Sequence, residues 1–433
     1  MCDLGCECPE KGQSFTLMDC SSRGITELPH FLHFYPPLTN INLQSNFINH
    51  LEMTTFAIGD SIEELDLSSN HIVHIDNFTF TPFKSLVLLR ISQNRLDEIS
   101  PGLLVGLSNL RVLEAGHNVI QKLTKESFLE VPNLLELRLQ YNPLFDLPED
   151  LFEYLPKLQR LDLQSTGLVT LPHKLLVPTH NLQRLSLSDN GFEIVPNEAL
   201  SQAPVLESLD LSKNDFTRFV EGDFADLPKL SWLYLNDLPL LTRIEKNAFF
   251  GLERLNTFSC SFNPKLSYVD EEMFGRKNST PRRTAPHEQL FLRQNGFSTL
   301  KSPLDMNSWY SLSFVDFADN PWKCDCNLLW MRYLKKETQM NIICENPPSL
   351  KGRPYYTVTP SELCQDKWTM TLFVLTMSVL GAVGLVVLAA SAVVCSRTPP
   401  ALYVRAKKQF SYAKMQQPKM EADDLEWDPS ADI

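Results

Sequence analysis

The sequence predicts an α/β solenoid: a horseshoe of about twelve stacked repeats with disulfide caps, plus one transmembrane helix. Three observations lead there. A pattern anchored on asparagine returns at a fixed spacing, two clusters of four cysteines bracket it, and an uncharged stretch follows at 369–394.

The repeat carries most of the prediction, because a fixed period in the 20–50 range is the signature of a stacked array. The pattern reads Leu38, Ile41, Leu43, Asn46, Ile48; then Ile62, Leu65, Leu67, Asn70, Ile72; then Leu86, Leu89, Ile91, Asn94, Leu96. The asparagine column continues through Asn118, Asn142, Asn190, Asn214, Asn263, Asn295 and Asn320, with Thr166 and Leu238 standing in the same column. From Asn46 to Leu238 the step is 24 residues each time. The paired leucines read as a short strand with alternate residues facing inward. The asparagine amide is suited to satisfying backbone groups where the chain turns. A lone repeat cannot bury its own leucines, so stacking must supply the stability. A second column recurs at Phe56, Phe80, Leu104, Phe128, Phe152, Leu176, Leu200 and Phe224, and predicts an apolar spine under the convex side. Cys260 falls in the inward column between Phe258 and Asn263 and reads as a small buried hydrophobe.

The cysteines explain the ends. Cys2, Cys6, Cys8 and Cys20 precede the array; Cys324, Cys326, Cys344 and Cys364 follow it. Such clusters fit disulfide frameworks in an oxidising compartment. The alternative is a pair of zinc sites, but no histidine shares a metal-site spacing with either cluster, so no metal or cofactor is expected.

The uncharged stretch would make a helix about 39 Å long, against a hydrocarbon core of about 30 Å. Arg397, Arg405, Lys407 and Lys408 follow it, whereas the preceding flank carries only Asp366 and Lys367. The positive-inside rule then places the C-terminus in the cytoplasm and the array outside the plasma membrane. Export calls for a leader upstream of Met1, since MCDLGC has neither a basic nor an apolar leader segment. The expected organisation is an N-terminal cap at 1–37, repeats at 38–320, a C-terminal cap at 321–366, the span at 369–394 and a tail at 395–433.

These features resemble the extracellular leucine-rich-repeat family, to which Slit, the Nogo receptor and Toll ectodomains belong. The resemblance covers about residues 1–365 and includes both caps, the second opening with NPWKCDCNLLW. It implies the pairs Cys2–Cys8, Cys6–Cys20, Cys324–Cys344 and Cys326–Cys364, although four cysteines alone allow three connectivities. Only 39 residues follow Val394, too few for a Toll/interleukin-receptor signalling domain, and no immunoglobulin or fibronectin module follows the repeats.

The outward positions of the strands are the expected binding surface. Many are small or polar, such as Ser68, Ser92, Ser186, Ser188, Ser208 and Ser212. Arg138, Arg160 and Arg184 come from consecutive repeats; they form either an ion-pair ladder with Glu136 and Asp162 or a site for an acidic partner. Trp232 and Tyr234 in repeat nine, Phe291 and Arg293 in repeat eleven and Phe314 in repeat twelve form an aromatic group. These residue types are enriched at binding hot spots, and packing against the cap or cover by a glycan is the alternative. Between Asn263 and Asn295 the step lengthens to 32 residues, the excess falling in a polar loop at 276–286. Arg276, Lys277, Arg282 and Arg283 in that loop fit a glycosylated spacer, a proteolytic site or a sulfated-glycan contact. Asn278 in the loop and Asn77 head the two glycosylation sequons.

Function follows by exclusion and by surface. The net charge of -13 argues against nucleic acid as a partner. No phosphate loop, H-E-x-x-H or G-x-S-x-G is present, so no enzyme is expected. The expected function is a cell-surface adhesion or recognition receptor for an extracellular or cell-surface protein. The alternatives are an auxiliary subunit of another membrane protein, such as an ion channel, and a Toll-like co-receptor lacking a signalling domain. In the tail, Cys395 is a palmitoylation candidate. Tyr412 to Met415 and the terminal Ile433 fit short sorting and PDZ patterns that would recruit a cytoplasmic adaptor.

Overall fold

Three extended residues open each repeat, and their stacking builds the molecule. The computed structural model describes residues 5–7, 16–275, 289–302 and 312–364, together with 378, 383, 385 and 386. Thirteen strands form one parallel sheet, each hydrogen-bonded to the next in chain order. Twelve belong to the repeats, from Asn40–Asn42 to Phe314–Asp316. The thirteenth, Leu17–Asp19, pairs in register with Asn40–Asn42, so the N-terminal segment extends the sheet by one strand. Middle residues of the strands, such as Leu65, Leu89, Leu137 and Leu209, are wholly buried, while their neighbours face out.

The asparagine column stitches one coil to the next. The Asn118 amide donates to the carbonyls of Ala115 and Ile91, both at 3.0 Å, and its Oδ1 accepts the Leu96 N–H at 3.0 Å. Asn46, Asn70, Asn94, Asn142 and Asn214 repeat this arrangement. The residue before the column is left-handed in every repeat, with φ between 51° at Gln294 and 63° at Phe262, and never glycine. The left-handed region costs an L-residue about 1–2 kcal/mol, a cost the asparagine network must offset.

Thr166 shows when the amide can be spared. In the preceding repeat Pro143 follows Asn142, and the Leu144 N–H is taken by the Asn142 carbonyl at 2.9 Å. No donor is left there for a residue-166 amide, and the Thr166 hydroxyl covers the Leu163 carbonyl instead, at 2.8 Å.

The apolar spine is present: Phe56, Phe80, Leu104, Phe128, Phe152, Leu176, Leu200 and Phe224 are all buried. The helical half of the α/β expectation is corrected, because among the described residues the regular structure is mostly strand. The side opposite the sheet runs through turns and single helical turns such as Lys125–Phe128 and Asn197–Leu200. The reason is length. A 24-residue coil must also hold its strand, its asparagine turn and its inward spine residue, and too few positions remain for a stable multi-turn helix, which needs about 10 residues or more. Ser68, Ser188 and Ser212, expected outward, are buried where the chain leaves the strand.

Both ends are covered. The Cys6–Cys20 disulfide ties the first segment to the leading strand. At the far end Trp322 is wholly buried against Phe317 and Phe297, its indole N–H donating to the Phe317 carbonyl at 3.0 Å. Cys324–Cys344 is bonded there, and Cys326 and Cys364 are each disulfide-bonded. Trp330 donates to the Leu300 carbonyl at 3.0 Å, pinning the covering segment to the array, and the Tyr355 hydroxyl donates to the Leu328 carbonyl at 2.7 Å within that segment. Cys2, Cys8, Asn278 and the loop at 276–286 lie outside the described residues.

The chain divides into two units, Met1–Leu363 and Cys364–Ile433, with the array in the first. In the second, Ser378, Val383, Leu385 and Val386 are helical. Among the described residues no helix is long and apolar enough to cross a membrane; the expected span at 369–394 falls almost wholly outside them.

Candidate interaction surface

Register decides which outward side chains meet. Arg160 pairs with Glu136 on one side and Arg184 on the other, and that row continues through Ser208 and Trp232. The parallel row two residues along holds Arg138, Asp162, Ser186, Asp210 and Tyr234. Neighbouring strands stand about 4.8 Å apart and the rows about 6.8 Å apart.

The N-terminal half of the surface is an ion-pair ladder. Arg90 lies 3.6–3.9 Å from Glu114, Asp66 and Glu64. Arg138 bonds Glu114 at 3.0 Å and Glu136 at 2.5 Å, and Arg160 bonds Glu136 at 3.1 Å. Glu136 is buried between the two guanidiniums. For Arg138 and Arg160 the structure therefore has the ladder. Arg184 differs: it is exposed and makes no ion pair among the described residues.

From the paired Glu136, Arg138 and Arg160 onward the surface opens into a shallow basin of about 250 Å³, with Arg184, Asp162, Ser186, Ser208, Asp210 and Tyr234 around the rest of it. Burial pushes the Asp162 carboxyl up, and Asp210 adds to the rise; the Gln164 N–H and Arg138 pull it back. The Tyr234 hydroxyl is pushed up by burial and then by Asp210. Neither aspartate has an ion pair among the described residues; each accepts a backbone N–H two residues on, from Gln164 and Ser212.

The expected aromatic group divides. Tyr234 lines the basin with Arg184. Phe291 meets Phe314, ring centroids 5.3 Å apart, and Arg293 is held by Asp319 at 2.5 Å. Trp232 is 36% exposed, and the Thr257–Ser259 and Gln289–Phe291 strands separate it from Phe314. Sequence reading missed Asp210, whose equivalence to Asp162 follows from counting two 24-residue steps. Asn77 is exposed and accepts the Ser100 hydroxyl at 2.6 Å, while the Thr79 hydroxyl of its sequon is bonded to the Asp76 carbonyl at 2.8 Å.

The family described as leucine rich repeat matches at residues 36–96, 60–120, 84–144, 116–168, 132–192 and 180–240. That span is therefore a leucine-rich-repeat array, and the same sheet continues beyond it to Asp316. The chain is similar to the zebrafish (Danio rerio) leucine-rich repeat and fibronectin type III domain-containing protein 1-like protein. Identity is 28% over 159 residues, 35% of this chain and 21% of that one. It is also similar to human leucine-rich repeat and fibronectin type-III domain-containing protein 5, at 36% over 81 residues, 18% of this chain and 10% of that protein. The matched segments thus span about a fifth and a tenth of these relatives. Among solved structures, the Toll–Spätzle complex of Drosophila shares the fold, with a TM-score of 0.53 and 22% identity over 75% of this chain and 55% of that one. A leucine-rich-repeat protein of Leptospira interrogans does so with a TM-score of 0.54 and 20% identity, over 73% and 82% of the two chains.

Proposed function

We propose that this chain is a cell-surface recognition protein that binds an extracellular protein through the outward face of its repeat sheet. In this reading it is a type I membrane protein of the plasma membrane, anchored by 369–394, with Asn77 and Asn278 glycosylated. The observation that carries the reading is the basin around Arg184. The ion pairs of this surface leave Arg184, Asp162 and Asp210 without a salt bridge among the described residues, beside a half-buried tyrosine. Such groups, with Trp232 on the flank, are the residue types at which interfaces concentrate their energy. Toll, which has the same fold, was solved with Spätzle, and that agrees with a protein as the partner.

The test uses the full chain, given a leader and displayed on cells, against a panel of purified extracellular proteins. Ser186→Asn completes an acceptor sequon with Ser188 and sets a glycan on the basin floor. Capture by the wild type and its loss in the glycosylated variant is the expected result. Undiminished capture by that variant would move the site off this face.

A further inference from the structure

The basin also specifies what the partner must present. Arg90, Arg138 and Arg160 each hold carboxylates of this chain, whereas Arg184 holds none among the described residues. Asp162 and Asp210 sit in the other row, one strand to either side of Ser186, and hold no cation. Ser186 and Ser208 keep the floor low, so the charged groups rise around it. Tyr234 stands beside Asp210 in strand register and walls the C-terminal side.

We propose that the partner docks through a mixed-charge loop. Its carboxylate seats on Arg184, and its lysine or arginine seats between Asp162 and Asp210 with its stem against Tyr234. The inference rests on the outward sheet face being the binding surface and adds the chemistry of the occupant. A guanidinium takes a carboxylate in a planar two-point contact. A cation seated over the Ser186 strand lies between two carboxylates that have no salt bridge of their own, and its stem can lie on an aromatic face. An apolar helix would leave all three charges buried and unpaired, which is costly. A purely acidic partner would face Asp162 and Asp210, and a purely basic one would face Arg184.

The experiment is the same cell-display capture with three variants. Arg184→Asp combined with Asp210→Arg keeps net charge and changes only its placement. Arg184→Gln removes one charge without reversing it. Surface level and protease resistance, matched to wild type, confirm folding. Binding is expected to fall on the order of a hundredfold in the swap and tenfold in Arg184→Gln, with capture weakening as salt rises. If Ser186→Asn abolishes capture while the swap keeps it, the mixed-charge contact is wrong although the surface is right. If Ser186→Asn leaves capture intact, or the wild type captures nothing, both readings fall together.

Discussion

Replacing Asn118 by alanine tests the link between the repeat and its stability most directly. Asn118 bonds four backbone groups, but they do not depend on it equally. The Ile91 carbonyl keeps a donor from Asn94, the Ala115 carbonyl keeps one from Asn142, and the Gly116 carbonyl keeps the Gln93 N–H. The Leu96 N–H, on a residue only 2% exposed, has Asn118 Oδ1 as its partner and is orphaned. An orphaned buried donor costs about 1–3 kcal/mol, and a net hydrogen bond about 1 kcal/mol. The expected loss is about 3 kcal/mol. Asn109→Ala is the control: its amide makes one exposed bond, to the Lys84 carbonyl at 2.8 Å, and its loss should cost less than about 1 kcal/mol. Asn118→Asp retains the acceptor but turns a carboxylate oxygen toward three carbonyls, so at neutral pH it should cost at least as much as alanine. Stability is read by protease susceptibility of the full chain across a urea series, with hydrogen exchange at Leu96 reporting the local opening. A difference below about 1 kcal/mol between Asn118→Ala and Asn109→Ala would refute the argument.

Gly167 has φ of +76°, and a Cβ there would stand 2.7 Å from the Phe145 ring, so Gly167→Ala should destabilise by about 1–2 kcal/mol in the same urea series. Cys260 is wholly buried, and burial pushes its thiol far up, so a disulfide reagent should label it only after denaturation; native labelling would contradict the placement. Glu362 is held down to about 2 by the Arg353 guanidinium at 2.8 Å and by Thr359. Its folded value is depressed, so its stabilising contribution is present above the ordinary glutamate value of 4.5 and is lost as pH falls toward about 2. Glu362→Gln should therefore flatten acid unfolding over that window, and an unchanged acid profile would count against it. Trp232→Ala should weaken partner capture without lowering the urea midpoint, whereas Phe291→Ala, which breaks the Phe314 contact, should affect capture less.

The 24-residue step, the inward leucines and the phenylalanine spine could be read directly from the chain, because each column answers to one physical demand that local spacing expresses. The asparagine column belongs with them, since its amide serves backbone that every repeat supplies. The left-handed residue before it was not readable. Ser45, Lys213 and Phe262 share no chemistry with one another, and only the hydrogen-bonded turn makes their φ alike.

Grouping of the outward residues was partly hidden for a different reason. Trp232, Tyr234 and Phe291 share an aromatic type, but strand order sets Tyr234 beside Asp210 in the basin that Arg184 also lines and brings the Phe291 ring against Phe314 of the next strand. Arg160 and Arg184 stand at equivalent positions of the sequence with Arg138 in the repeat before, and side-chain reach then commits Arg138 and Arg160 to Glu136 and leaves Arg184 without a salt bridge among the described residues. The sequence by itself determined that repeats stack and which residues face inward, because burial acts through local periodicity. Which outward charges neutralise one another, and which keep no salt bridge, was decided only by tertiary structure, because contacts such as Arg160–Glu136 and Arg138–Glu114 join residues a full coil apart.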